Sequence, residues 1–121
     1  MSMDAQISLK SCHVILPYEL VKQIFGSVSY AYVSYVSTNQ TLLITPVTST
    51  WFANMHKPSQ FLLKERNIKG DKSLAIREIM IDNDLNETDR SLLYEVVTNT
   101  NLIKISIAWP NDSTTPKLKK N

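Results

Sequence analysis

Apolar and polar residues alternate along both ends of this 121-residue chain, and that alternation limits the fold more than any other feature. Within the run 102–109, one face carries Ile103, Ile105, Ile107 and Trp109. The run from Ile7 to Leu16 has the same period. Because successive side chains of a strand point to opposite faces, a period of two predicts a strand with one buried face. Residues 7–16 and 102–109 are therefore predicted to be strands.

Helix and turn signals divide the residues between these strands. Pro17 ends the first strand and opens a predicted helix over 17–25, because proline suits the first turn of a helix. Two β-prone runs separated by Ser37–Gln40 predict a hairpin over 28–47. A further strand is predicted over 74–81, and Asn86 is interpreted as the cap of a helix over 87–97.

The connector from Thr48 to Lys72 is the least regular part of the sequence. Ser49 or Thr50 can cap one helical turn, and Ser59 can cap a second short helix with Phe61. The first turn carries three large apolar residues, Trp51, Phe52 and Met55. Together with Phe61 they form a candidate partner-binding surface if they are exposed, and part of the core if they pack on the sheet.

The predicted fold class is α+β. It has a small mixed sheet or barrel of about five strands and two main short helices, and a strand–helix–strand unit occurs twice. Residues 1–109 are expected to form one domain, since 121 residues suffice for one core and are too few for two. Residues 110–121 hold mainly Pro, Ser, Thr, Asn and Lys, which predicts a disordered basic tail. Deleting residues 111–121 is expected to leave folding intact.

Catalytic and cofactor motifs are missing from the sequence. Cys12 is the only cysteine, and on a strand it points away from its neighbour His13, so the two cannot form a nucleophile–base pair. With only Gly26 and Gly70, no glycine-rich phosphate loop is possible. No metal or cofactor is predicted, and the chain is not expected to be an enzyme. An enzyme with His13 or His56 in a cleft stays open as a third hypothesis.

The acidic run from Asp82 to Glu87 matches the start of a calcium-binding loop. It departs from that loop where glycine and the last glutamate are required, because Glu87 and Leu93 stand there. Helix capping by Asn86 is the preferred interpretation.

Charge is unevenly distributed along the chain. The net charge is +2, and the tail 110–121 accounts for it with three lysines and one aspartate. Residues 57–77 contain six basic and two acidic residues, whereas residues 78–95 contain six acidic residues and one arginine. Such blocks can pair within the fold, pair between subunits, or form two solvated faces. The first hypothesis is therefore a non-enzymatic interaction or regulatory protein that self-associates as a homodimer.

The expected location is the cytoplasm, without a membrane partner. Residues 1–6 are polar and lack the basic head and apolar run of a signal peptide, and no run of apolar residues is long enough to span a bilayer. A lone cysteine agrees with a reducing compartment.

The run Ile15-Leu16-Pro17-Tyr18-Glu19-Leu20, a strand that leads through proline into a short helix and then a hairpin, resembles the AbrB-like swapped-hairpin domains. The arrangement in two units is similar to the MraZ branch. The usual glycine–arginine pair is replaced by Ser11, Cys12 and His13. The resemblance implies interlocked units and DNA binding through basic residues on the sheet. The second hypothesis is therefore a DNA-binding regulator with the candidate contacts Lys10, Lys57, Lys64, Arg66, Lys69 and Lys72.

Overall fold

Short strands dominate the architecture, with three short helices between them in the residues that the structure describes. A computed structural model describes residues 6–56 and 58–108, without the side chain of His56. The strands are β1 (Ile7–Lys10), β2 (His13–Leu16), β3 (Tyr30–Val36), β4 (Thr41–Pro46), β5 (Ser59–Leu62), β6 (Lys64–Glu65), β7 (Lys72–Ala75), β8 (Arg90–Leu92), β9 (Tyr94–Val97) and β10 (Leu102–Ser106). The helices are α1 (Tyr18–Ile24), α2 (Thr50–His56) and α3 (Arg77–Asp82), and a 3-10 turn covers Thr98–Thr100.

The strands form two five-stranded sheets. Sheet A has the order β6-β7-β2-β1-β8, and sheet B has the order β5-β3-β4-β10-β9. Neighbouring strands within both sheets are antiparallel. The predicted α+β class is confirmed, with the strands shared between two sheets that do not close into a barrel.

Two bent strands join the edges of the sheets. β5 ends at Leu62 and β6 begins at Lys64, so the chain passes from the edge of sheet B to the edge of sheet A through Leu63. In the same way, Leu93 links β8 of sheet A to β9 of sheet B. Leu63 is buried, whereas Leu93 is exposed.

The main core combines the inner faces of both sheets with α1. Sheet A contributes Ile7, Leu9, Val14, Leu16 and Leu74, and sheet B contributes Ala31, Val33, Leu42, Ile44, Ile103 and Ile105. α1 adds Leu20, Val21 and Ile24, whose spacing places them on one face of a helix. The helix predicted over 17–25 and the hairpin predicted over 28–47 are both confirmed. Within the described residues, no helix has the length and apolar character needed to cross a bilayer.

The first predicted strand is in fact a hairpin. β1 and β2 pair with Lys10 opposite His13, so Ser11 and Cys12 form a two-residue turn. Both turn residues have positive φ, 48° and 62°, as the favoured turn between twisted strands requires. That turn usually contains glycine or asparagine, and because neither is present here, the residue pattern does not indicate a break in the strand.

The elements predicted after residue 74 are wrong in two places. Residues 77–82 form α3 instead of continuing a strand, with the side chain of Met80 buried. Residues 90–97 form β8 and β9 instead of a helix. Leu92, Tyr94 and Val96 all pack on the main core, so the true period here is two.

Ser59 does not cap a helix, because residues 59–62 form β5 and pair with β3. The helical turn predicted around Trp51 is confirmed as α2. Lys57, Trp109 and the predicted tail 110–121 lie outside the described residues.

Candidate interaction surface

α2 covers part of the outer face of sheet B through one aromatic side chain. Phe52 is completely buried against Leu43 of β4 and Leu102 of β10. The partly buried side chains Tyr32, Val36 and Val97 surround this second, smaller core. Of the two alternatives for Phe52, the structure has the core, because its ring fills the space between α2 and the sheet.

The other predicted surface aromatics have different environments. Trp51 packs edge-on against Phe52, with ring centroids 5.7 Å apart and planes at 89°, and remains 39% exposed. Met55, on the same helix, is 72% exposed. Phe61 is half-buried and packs against the main core. Only Trp51 and Met55 of the predicted set are thus available to a partner.

Beside α2, the outer face of sheet B forms an open groove of about 640 Å³. Its apolar lining comes from Leu43 and Leu102, which also support Phe52, and from Leu93 at the sheet junction. Leu93 is 81% exposed. The complete lining is Val36, Asn39, Thr41, Leu43, Leu93, Tyr94, Glu95, Leu102, Lys104 and Ser106.

Most of the exposed apolar side chains lie on the outer side of sheet B, some at its β5 edge and one at its β9 edge. Eight large hydrophobic residues are exposed within the described chain. Tyr30 and Leu62 face each other across β3 and β5 on the outer face of sheet B. With the side chains on α2 and at the sheet junction, five of the eight belong to this face: Tyr30, Trp51, Met55, Leu62 and Leu93.

The groove also contains one residue of each charge. Glu95 of β9 lies directly opposite Lys104 of β10, and both are exposed. The only ion pair formed between described residues is elsewhere, between Lys72 and Glu65, so these two charges do not neutralise each other by direct contact. The sequence prediction missed Leu93 and Glu95 because it interpreted 87–97 as a helix. Lys104 lies in a correctly predicted strand, but its cross-strand neighbour Glu95 was not recognised. The alternation of Leu92, Tyr94 and Val96 was the signal that would have found them.

The candidate nucleic-acid contacts fall into separate groups. Lys64 lies on the outer face of sheet A, in one row of cross-strand neighbours with Ser73, Ile15 and Ser8. Lys10 is on the same face but at the far end, opposite His13 beside the β1–β2 turn. Lys72 is directed to the other face, where its Nζ lies 3.8 Å from a carboxylate oxygen of Glu65.

Arg66 and Lys69 are exposed in the β6–β7 turn, which a hydrogen-bond network holds in one shape. The Asn67 side-chain oxygen accepts from the backbone N–H groups of Gly70 and Asp71, at 3.1 and 3.2 Å. Asn67 also donates to the Asp71 carboxylate at 3.1 Å. That carboxylate accepts in addition from the backbone N–H of Tyr18, at 2.8 Å, and so ties the turn to the start of α1.

These bonds set the ionisation of Asp71. The hydrogen bond from Asn67 holds the pKa of the Asp71 carboxyl below its usual value of 3.8. Partial burial acts to raise this pKa. The hydrogen bond from the Tyr18 N–H and the nearby positive charges of Lys69 and Arg66 lower it further. Asp71 is therefore a charged structural anchor of the hairpin.

Cys12 and His13 do not form a catalytic pair. The Cys12 thiol is buried and donates to a Glu87 carboxylate oxygen at 3.3 Å. Burial, followed by the contact with Glu87, raises the pKa of this thiol and so disfavours the reactive thiolate. The Nδ1 atom of His13 lies 2.9 Å from the backbone oxygen of Ser11.

The acidic run after α3 holds a turn rather than a helix start. The Asn86 side chain accepts from the backbone N–H of Thr88 at 2.8 Å, and β8 follows. Among residues 6–56 and 58–108, no three His, Cys, Asp or Glu side chains are grouped so that they could hold a metal ion. Comparisons with protein families, with curated proteins and with solved structures found no match to this chain.

Proposed function

We propose that this chain is a non-enzymatic interaction protein that works as a homodimer joined through the outer face of sheet B. The observation that carries the proposal is the concentration of five exposed large apolar side chains on that face. Leu93 lies at the β9 edge of the sheet and Tyr30 and Leu62 lie at the β5 edge, so the continuous apolar surface on this face is the groove beside Leu93. Exposed apolar surfaces of this kind mark interaction sites. The same face has an open groove whose lining is continuous with the Phe52 core.

A second copy is the occupant that the charges favour. A two-fold interface brings the same patch of both copies together, so each patch must complement itself. Glu95 and Lys104 lie side by side in the groove, one of each sign. A two-fold axis passing between them places each Glu95 against the Lys104 of the other copy. Both charges are then paired, and Leu93 of each copy covers the apolar lining of the other groove.

Sedimentation equilibrium of Leu93→Glu tests this arrangement. At a salt concentration that suppresses weak contacts between surface charges, the wild-type chain is expected to be dimeric and the variant monomeric, because the new carboxylate would be buried next to Glu95. Gln23→Glu, on the exposed side of α1, adds the same charge away from sheet B and should stay dimeric. A wild-type chain that is monomeric at every concentration, or a Leu93→Glu variant that remains dimeric, would contradict the proposal.

A second candidate function is duplex DNA binding, which the resemblance to AbrB-like domains implies. The β6–β7 hairpin lies outside the residues that carry the resemblance and is proposed as the contact from its exposed cations. The observation that favours it is the exposure of Lys64, Arg66 and Lys69 within one hairpin. A two-stranded ribbon fits the major groove, and cations release counterions from phosphates. Fluorescence anisotropy with a labelled duplex should show affinity that falls steeply with salt, and Lys69→Glu should reduce that slope. An absence of binding at low salt would rule this function out.

A further inference from the structure

The tip of the β6–β7 hairpin presents an aliphatic side chain to solvent between two cations. Ile68 is fully exposed, and Arg66 and Lys69 beside it are exposed as well. The Asn67–Asp71 hydrogen bonds fix this shape, and Gly70 fits against the ring of Tyr18. Because the turn is already ordered, docking through it loses little conformational entropy.

The exposed face of α3 has the same pattern with the opposite sign. Glu78, Ile81 and Asp82 fall on one side of the helix, since residues three and four apart are neighbours on its surface. Ile81 is 58% exposed, and both carboxylates are exposed beside it. Arg77 is also exposed and lies four residues from Ile81, so this face carries two anions and one cation around an aliphatic side chain. Its net charge is opposite in sign to that of the two cations at the hairpin tip.

The hairpin tip and the α3 face cannot contact each other within one molecule. β7 runs from the hairpin to α3, so the surfaces lie at its opposite ends. The only ion pair among the described residues, Lys72 with Glu65, uses none of the charges concerned. Three exposed large apolar residues of the described chain lie away from the outer face of sheet B, and these are Tyr18, Ile68 and Ile81.

We infer that the hairpin tip of one copy binds the α3 face of another. Ile68 packs against Ile81, while Arg66 and Lys69 lie opposite Glu78 and Asp82. The contact joins two different surfaces, so it is heterologous and can link the proposed dimers into larger assemblies. Its area is small compared with the roughly 1,600 Å² of a standard interface, so the association is weak and depends on salt.

Mixing two charge-reversed variants tests the contact. Arg66→Glu with Lys69→Glu makes both surfaces acidic, and Glu78→Lys with Asp82→Lys makes both basic. The wild-type chain should form assemblies larger than the dimer in sedimentation velocity at low salt, and each variant alone should lose them, with association weakened by about tenfold or more. An equimolar mixture should regain them, because the acidic tip of one variant then meets the basic α3 face of the other.

The controls separate this contact from the sheet B interface and from DNA binding. Lys10→Glu with Gln23→Glu adds negative charge at two exposed positions elsewhere and should assemble like the wild type. Repeating the mixture with Leu93→Glu in both variants removes the proposed dimer, and pairwise association across the tip should persist. A mixture that shows no recovery would overturn the inference. So would hairpin variants that lose duplex DNA binding while their assembly is unchanged, since the hairpin would then be a nucleic-acid element.

Discussion

Lys104 of β10 lies directly opposite Glu95 of β9 on the outer face of sheet B, and both side chains are exposed. Cross-strand neighbours of opposite charge stabilise a sheet only slightly when water surrounds them. Their position in a groove lined by Leu43, Leu93 and Leu102 gives the pair another possible use. It makes the groove complementary to a second copy of itself, which is what a two-fold interface requires.

Truncation of Phe52 should be the most damaging change on the outer face of sheet B. Its ring is completely buried between Leu43 and Leu102, so Phe52→Ala leaves a cavity there. A loss of about 3–5 kcal/mol in the free energy of unfolding is expected, as for other buried aromatic residues. Trp51 is on the same helix but is 39% exposed, so Trp51→Ala should lower the free energy of unfolding clearly less than Phe52→Ala does. Urea titration of both variants measures the difference, and equal losses would mean that α2 is not anchored through Phe52.

Alanine at Gly70 should destabilise the hairpin more than alanine at Gly26. Gly70 has φ of 111°, and a Cβ there would lie 2.5 Å from a ring atom of Tyr18. Gly26 has φ of 57°, and a Cβ there meets nothing within 4 Å. Both substitutions strain the backbone by about 1 kcal/mol or more, but only Gly70→Ala also displaces a ring. Thermal melts compare them directly, and a larger loss for Gly26→Ala would refute this packing.

Asp71 should make stability depend on pH on the acid side of neutrality. Its folded-state pKa lies below the usual 3.8, chiefly because Asn67 donates to the carboxylate. A depressed pKa means that this contribution is fully present above the ordinary pKa and is lost as the pH falls through the folded-state value. Asp71→Asn should therefore lower the melting temperature most near neutral pH, and the gap from wild type should narrow below pH 3.8.

Glu19→Gln, which removes one exposed carboxylate from α1, controls for the loss of a negative charge. A gap between wild type and Asp71→Asn that stays constant across the acid range would show that the carboxylate is not the anchor of the turn.

Strong local patterns predicted much of the fold. Pro17 and the apolar spacing of Leu20, Val21 and Ile24 were enough to place α1, because the signals for its start and its buried face agree. The β1–β2 turn could not be predicted, since Ser11 and Cys12 adopt positive φ without glycine or asparagine. Tertiary context, rather than local propensity, decides such positions.

The candidate surface was harder to predict, because exposure depends on which elements meet. Trp51 and Phe52 are adjacent and both aromatic, yet only the side chain that faces sheet B is buried. Lys64 and Lys72 carry the same charge, but strand parity directs them to opposite faces. Neither the burial of Phe52 nor the opposite directions of the two lysines can be predicted from residue type alone.

The most direct test of the homodimer exchanges the two groove charges. Glu95→Lys alone and Lys104→Glu alone each give a groove with two like charges, so both variants should be monomeric in sedimentation equilibrium. The double variant restores one charge of each sign and should again be dimeric, with an affinity close to that of the wild type. If the single variants remain dimeric, or the double variant stays monomeric while its thermal melt shows an intact fold, the two chains do not meet through Glu95 and Lys104.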